Sequence, residues 1–414
     1  MAYNPAGYGA TNDAGGKVVH VFWLSGMSCD GCSVAAIGAA NPSLEDLALD
    51  RVPDLPLIVV HHPMLAEESG DDFTAAYTAA ANGGLGAPYI VVVEGSIPDD
   101  QSMGSGFLAA MGTRSGDQPA RMTDWLIALA PNASACIAIG TCATWGGIPA
   151  AAGNITGSMG LMDFVGAGYR SSRGIPVVNV PGCAPQGDNF TETLTAVVRH
   201  LDGSRDLPEF DSLGRPAWLF EQTVHRHCPK AGYYEEGVFA EEPGDNQCLV
   251  EIGCWGPVVQ CNIVERGAVN HYGGCMVSGG ACIGCTMPGF PDKYSPFYKS
   301  PPGSAISGAV SRTTGGGIRR LRRLSMKGGN RTPIWDRAHD STSGWGAAHG
   351  AKSPTDVANG FFYKKLQYRG SVNHAKRNAV QPQPGSLGIL RQKGVDMDAS
   401  VDVLQEHLIT REEL

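Results

Sequence analysis

Between residues 225 and 285 the chain places His225, Cys228, Cys248, Cys254, Cys261, Cys275, Cys282 and Cys285 in the order H-x2-C, C-x5-C, C-x6-C, C-x13-C, C-x6-C, C-x2-C. Thiolates, with an occasional imidazole in place of one, are the donors of iron–sulfur clusters. These eight donors make two four-ligand sets: His225, Cys228, Cys248 and Cys254, then Cys261, Cys275, Cys282 and Cys285. Upstream, Cys29, Cys32, Cys142 and Cys183 lie in the glycine and proline turns SGMSCDGC, IGTCATWGG and VPGCAPQG and make a third set. Cys136 is the contrast: it sits inside the apolar run ASACIAIG and reads as a small buried hydrophobe. Three clusters in one polypeptide would form a wire, so the chemistry expected is electron transfer.

Other readings of the same donors stay open at this point. Taken singly, the H-x2-C and C-x5-C set suits structural zinc, and so does the CIGC pair. Three sets that together use eleven of the twelve cysteines are harder to explain as zinc. The C-x-x-C pairs also suit thioredoxin-like redox chemistry, against which stand their glycine turns and distant partners. His227 competes with His225, but it is adjacent to Cys228, whereas His225 stands in the H-x2-C register.

These donors need elements to bring them together. Short apolar, β-rich runs occur at 17–24 (KVVHVFWL), 55–60 (LPLIVV), 89–93 (YIVVV), 135–139 (ACIAI) and 175–180 (IPVVNV). Helical stretches follow at Asp72–Ala81, Thr123–Leu129 and Thr191–Leu201. Alternation of this kind predicts a doubly wound parallel sheet covered on both faces. In such sheets the binding crevice lies beyond the carboxyl ends of the strands. Cys29 and Cys32 follow the first run, Cys142 the fourth and Cys183 the fifth, so they are expected to converge on one four-ligand site. Expected domains are a flexible N-terminus (1–16), the sheet domain (17–201), a smaller irregular cluster domain (202–290) and a cysteine-free C-terminal extension (291–414) for subunit assembly. The segment PPGSAISGAVSRTTGGG reads as a flexible arm. Arg312–Arg337 holds eight basic residues and one acid, including Arg319, Arg320, Arg322 and Arg323.

Bulk properties agree. At 414 residues, 43% hydrophobic and 17% charged, the chain has the make-up of a globular protein with two or three domains. A net charge of −9 argues against nucleic acid as a partner. No apolar run reaches membrane-spanning length and the N-terminus shows no export signal, so a cytoplasmic protein is expected, with peripheral membrane association open. A reducing compartment favours metal ligation over six disulfides.

The motifs SCDGCS, VEGSIP (Val93–Pro98), IGTCATWGGIPAA, VPGCAPQ, CLVEIGCWGP and ACIGCTMPGFPD, with H-x2-C at 225–228, resemble those of the small subunit of nickel–iron hydrogenases over roughly Val18 to Phe290. The resemblance implies a flavodoxin-like domain carrying a proximal cluster on Cys29, Cys32, Cys142 and Cys183. It implies a cluster domain with a medial site on Cys261, Cys282 and Cys285 and a distal site on His225, Cys228, Cys248 and Cys254. A large subunit would hold the nickel–iron centre that splits dihydrogen; the small subunit breaks no bond and has no catalytic residue of its own. Many members have proline where this chain has Cys275 and carry a three-iron medial centre. A fourth thiolate here predicts a cubane, hence three 4Fe–4S clusters. Gly31 and Gly147 stand where oxygen-tolerant members carry extra cysteines, so their 4Fe–3S cluster is not expected. Asp30, inside the proximal pair, is expected as a turn or capping residue, with ligation of iron in place of Cys29 as the alternative. Glu94 is expected beside the proximal site in a structural hydrogen bond, with a proton path as its second reading.

The missing anchor and the long tail make the chain most like the actinobacterial-type uptake hydrogenases, passing electrons to an acceptor the sequence does not identify. The tail is expected to wrap the large subunit or a second heterodimer, with Val401, Leu404 and Leu408 on a docking helix. The rival readings are a hydrogen-sensing regulatory subunit and a stand-alone multi-cluster electron carrier.

Overall fold

The computed structural model describes residues 17–298, apart from 101–106, 116–117, 167, 212 and 293, together with 309, 312 and 313. The expected N-terminal segment 1–16, the Arg319–Arg323 run and the 401–408 helix lie outside the described residues. Two compact units emerge: one contains residues 17–218 with 288–291, the other 219–287 with the described residues from 292 onward.

Each of the five apolar runs supplies a strand of the first unit: β1 (Val18–Ser25), β2 (Leu57–His61), β3 (Tyr89–Glu94), β6 (Ala135–Ile139) and β7 (Val178–Val180). They form one all-parallel sheet in the order β2-β1-β3-β6-β7, the doubly wound arrangement. A short antiparallel ribbon, β4 (Ala110–Ser115) and β5 (Gln118–Arg121), intervenes in sequence. The last strand is shorter than its apolar run because Pro176 cannot donate to a ladder.

Its α-helices among the described residues include α1 (Gly31–Ile37), α2 (Leu44–Ala48), α3 (Gly70–Ala81), α4 (Met122–Leu129), α5 (Gly140–Trp145), α6 (Leu161–Val165) and α7 (Gly187–Leu201). Both faces of the sheet are dry, which is why its strands read as continuous apolar runs. On one face Phe22, Leu24, Val91 and Val93 pack with Tyr77 of α3 and Trp125 of α4. On the other, Val21, Trp23, Val92 and Ile139 pack with Phe190, Leu194 and Val197 of α7. Residues 202–218, which the change in composition grouped with the segment after them, cluster with the first unit. There the Asn179 side-chain amide donates to Leu213 O at 2.7 Å, and Asn179 N to Gly214 O at 2.8 Å.

The second unit has little regular structure: one-turn helices at Val224–His227, Ala231–Glu236 and Ile263–Arg266, joined by turns. One buried apolar cluster among its described residues is Tyr234, Cys248 and Val250, with Phe239 packed against them.

Candidate metal centres

The first site sits where the sheet topology puts it. Cys29 and Cys32 follow β1, Glu94 ends β3, Cys142 lies in α5 directly after β6, and Cys183 follows β7. Those four strands are neighbours in the sheet, so their carboxyl ends present one continuous edge. The four thiols face one another. Burial, then the charges of Glu94, Cys142, Cys29 and Cys183, push the Cys32 thiol up. Burial pushes Cys142 up to about 11, against a hydrogen bond from Ile148 N–H. Thiols kept protonated by burial and by one another ionise together only where a shared cation replaces their protons.

Two glycines hold the cage to its tight form. Gly140 has φ +84°, and a side chain there would run into Cys32 Sγ; Gly147 has φ +57°, and a Cβ would stand 2.7 Å from Cys142 Sγ. A side chain at position 147 therefore does not fit this backbone.

Glu94 is fully buried and both its oxygens are engaged. Oε1 accepts from the backbone N–H of Cys32 (3.1 Å) and of Ser33 (3.2 Å). Oε2 accepts from Trp23 Nε1–H at 2.9 Å and from the Ser33 hydroxyl. Further out, Met64 N–H donates to His62 Nδ1 at 3.1 Å, so the neutral ring carries its proton on Nε2 and donates to Ser33 Oγ at 2.8 Å. Glu94 thus plays the structural role expected of it, fastening the first turn of α1, and with it Cys32, to the sheet. Sequence reasoning missed Trp23, Ser33 and His62, since single polar atoms within apolar runs carry no periodic signal.

Asp30 precedes α1 in the left-handed region (φ 58°, ψ 8°) and its side chain makes no capping bond. It is exposed beside the exposed Cys29. Gln186, three residues after Cys183, is 6% exposed, yet its amide nitrogen and oxygen find no protein partner. An orphaned buried amide beside four converging thiols fits a site completed by a bound group.

In the second unit His225, Cys228, Cys248 and Cys254 line one cavity, with Lys230 and Met276. Burial holds His225 down to about 4, so the imidazole is neutral and ready to ligate. His227 is excluded from that cavity; its Nε2 meets Gln222 Oε1 at 2.6 Å and Glu265 at 3.6 Å. Cys261, Cys275, Cys282 and Cys285 come together as well. Burial, then Cys285 and, more weakly, Cys275, push Cys261 up to about 12. Burial, then Cys254, Cys285 and Cys261, push Cys282 well up. The two sets touch: Cys282 N–H donates to Cys254 Sγ at 3.3 Å, and Trp255 N–H to Cys282 O at 2.9 Å. Among the described residues no three His, Cys, Asp or Glu side chains close around the position of a single ion. Cys136 is buried in the core, bonded to Tyr169 Oη at 3.1 Å, and joins no set.

The fold and these cages define a class, a doubly wound domain with soft-donor sites joined to a compact ligand-built unit, and comparison with known proteins narrows it. Residues 220–298 match the family described as the C-terminal part of the NiFe/NiFeSe hydrogenase small subunit, and residues 29–197 match that of the NADH ubiquinone oxidoreductase 20 kDa subunit. The chain is 34% identical over 290 residues to the periplasmic [NiFeSe] hydrogenase small subunit of Desulfomicrobium baculatum, covering 69% of this chain and 88% of that one. It is 33% identical over 313 residues to the F420 non-reducing hydrogenase II small subunit of Methanosarcina mazei, covering 70% and 78%. Among solved structures, the actinobacterial-type NiFe-hydrogenase from Ralstonia eutropha H16 superposes with a TM-score of 0.72 at 48% identity, covering 77% of this chain and 92% of the other.

The chain belongs to the small-subunit family of nickel–iron hydrogenases. It is thereby one subunit of a heteromeric hydrogenase, from a family of iron–sulfur-bearing small subunits that work with a large subunit.

Proposed function

We propose that this subunit relays electrons from dihydrogen oxidation in the large subunit to an external acceptor through three 4Fe–4S clusters, as an uptake hydrogenase. The observation that carries the reading is the convergence of all twelve expected ligands into three sets, two of them joined by the Cys282 N–H to Cys254 Sγ bond. When bound, the clusters supply reversible one-electron storage; the protein supplies their spacing, burial and hydrogen bonds.

Proximal ligation is assigned to Cys29, Cys32, Cys142 and Cys183, medial ligation to Cys261, Cys275, Cys282 and Cys285, and distal ligation to His225, Cys228, Cys248 and Cys254. Asp30 is the alternative proximal ligand; its uncapped, exposed carboxylate beside Cys29 supports that role. Cys29 and Cys183 are exposed in the single chain, and Val34 and Ile148 expose apolar surface in the same ligand-bearing segments. The large subunit is assigned to that face. Two or more heterodimers, joined through the C-terminal extension, form the assembly. A reducing, cytoplasmic setting suits twelve free cysteines, and fractionation with an antibody to the chain tests it. Among the described residues no helix is long and apolar enough to cross a membrane.

The test is anaerobic copurification with the large subunit, followed by iron, sulfide, zinc and nickel counting and redox-titrated EPR. About twelve irons with no three-iron signal is the expected result. Zinc in place of iron, or a chain isolated without a nickel-containing subunit, defeats the proposal. For Asp30, an unaltered proximal signal in Asp30→Asn removes it from the ligand set.

A further inference from the structure

The C-terminal extension is expected to serve assembly, but one of its described residues, Arg312, meets the wall of the distal site. Arg312 pairs with Glu251 through a single nitrogen, Nη2, which donates to both carboxylate oxygens at 2.7 Å each. Its guanidinium also lies over the ring of Phe239, 5.4 Å from the centroid. Both contacts lead inward. Phe239 packs edge-on against Tyr234 (5.6 Å, 86°), and Tyr234 edge-on against His225 (5.1 Å, 74°). The strand-like stretch at Phe239 bridges to Cys248, with Ala240 N–H donating to Cys248 O at 2.9 Å. Glu251 belongs to the loop between Cys248 and Cys254. One side chain from outside the ligand-bearing segment therefore holds both the aromatic stack behind the ligand histidine and the loop carrying two ligand thiols.

We propose that Arg312 is a positioning residue for the distal site, through which the extension sets the orientation of His225 and the local charge at the point where electrons leave. Two physical effects are combined. One guanidinium nitrogen shared between both carboxylate oxygens ties Arg312 to Glu251 by charge-assisted hydrogen bonds, and the position of its plane over Phe239 couples that anchor to the Tyr234–His225 pair. The pair is also locally neutral. Removing one partner leaves a net charge beside the 248–254 loop, and that charge biases how readily the distal cluster is reduced. The ion pair is partly open, with side chains 57% and 30% exposed, so solvent and salt weaken the bias without abolishing it.

This inference rests on the distal assignment of His225, Cys228, Cys248 and Cys254, and the experiment separates the two. In the heteromeric holoenzyme purified anaerobically, EPR-monitored redox titration first establishes a histidine-ligated distal signal in the wild type; its absence refutes the assignment and not the role of Arg312 alone. Given the signal, Arg312→Gln leaves Glu251 unbalanced and is expected to make the distal cluster harder to reduce, by about two- to fivefold in its reduction equilibrium, the range an exposed ion pair reaches. Glu251→Gln is expected to shift it the opposite way, and the double variant to return towards wild type. Arg312→Lys, which keeps the charge but loses the planar guanidinium over Phe239, is expected to retain the potential while altering the EPR line shape of the histidine-ligated cluster. These opposite shifts distinguish positioning from general loosening, which would move both single variants in one direction. Shifts of the same sign, or none in either variant, overturn the proposal.

Discussion

Glu94→Gln is the sharpest perturbation of the proximal site, because it changes one atom's hydrogen-bonding character and almost no volume. The carboxylate accepts four hydrogen bonds: two backbone N–H groups on Oε1, then Trp23 Nε1–H and the Ser33 hydroxyl on Oε2. An amide must turn one oxygen into a donor. Placed at Oε1, its NH2 faces the N–H groups of Cys32 and Ser33 and orphans both. Placed at Oε2, it orphans the Trp23 N–H and turns the Ser33 hydroxyl, which already accepts from His62, away from its acceptor. The second orientation is the cheaper, since Ser33 can accept from the new amide. It still leaves one buried donor fully unpaired, at about 1–3 kcal/mol, and loses the extra strength of charge-assisted bonds. About 3 kcal/mol is a fair total, and in a unit of this size each kcal/mol moves Tm by about 2–4 °C. Scanning calorimetry of the anaerobic heteromer should therefore show a fall of about 6–12 °C, accompanied by a weakened or heterogeneous proximal EPR signal because Cys32 is no longer fastened. A variant within about 2 °C of wild type with an unchanged proximal signal would show that Glu94 does not hold the α1 turn, and the hydrogen-bond argument fails.

The remaining predictions are briefer. Cys275→Pro should convert the medial site to a three-iron centre, seen as a new signal in the oxidised protein; an unaltered spectrum removes Cys275 from the ligand set. Gly147→Ala should destabilise the proximal cage by about 1–2 kcal/mol or more, since φ is +57° and the added Cβ meets Cys142, with lower iron content as the readout; full iron loading refutes the steric reading. His225→Ala should abolish the distal signal while His227→Ala leaves it, because only His225 lines the cavity; the reverse pattern would reassign the ligand. His20 and His61 form a buried stacked pair, Nδ1 to Nε2 2.8 Å, and burial lowers them to about 4 and about 3. The unfolded chain therefore binds protons that the native one does not. Stability is complete above about pH 6.5 and falls as pH drops towards 4, by about 3 kcal/mol for His20 alone. In His20→Phe the slope of Tm against pH over that window should flatten; an unchanged slope rules the pair out as its source.

What the sequence disclosed follows from the physics of each signal. A strand buried on both faces must be apolar throughout, so β1, β2, β3, β6 and β7 stood out, and the rule that sites lie at carboxyl ends then placed Cys29, Cys32, Cys142 and Cys183 together. Spacing alone grouped the eight donors of the second unit, because a polypeptide that holds a cluster must supply its ligands within reach. Helix α1 is silent in the sequence for a physical reason: it is seven residues long and starts from a left-handed Asp30, so it carries neither a full apolar stripe nor a standard cap. Its position depends on Glu94, far away along the chain, and no local pattern reports a tertiary hydrogen bond.

The same reasoning explains why Glu94 and Arg312 are the instructive residues, rather than the cysteines. A thiolate declares its function through its type and its neighbours. A carboxylate or guanidinium does not, since most are solvated surface charges. Glu94 differs in being fully buried, with one oxygen directed at the backbone of a ligand-bearing turn and the other held by Trp23 and Ser33. Arg312 differs in joining an ion pair with Glu251 to an aromatic stack that ends at His225, the proposed ligand. In both cases the ligand's position is set by a residue from a separate part of the chain. A cluster's potential depends on hydrogen bonds and charge around it as much as on its ligands. Relatives that keep every cysteine can therefore differ in potential, and these two positions are where substitutions should move it without removing a ligand.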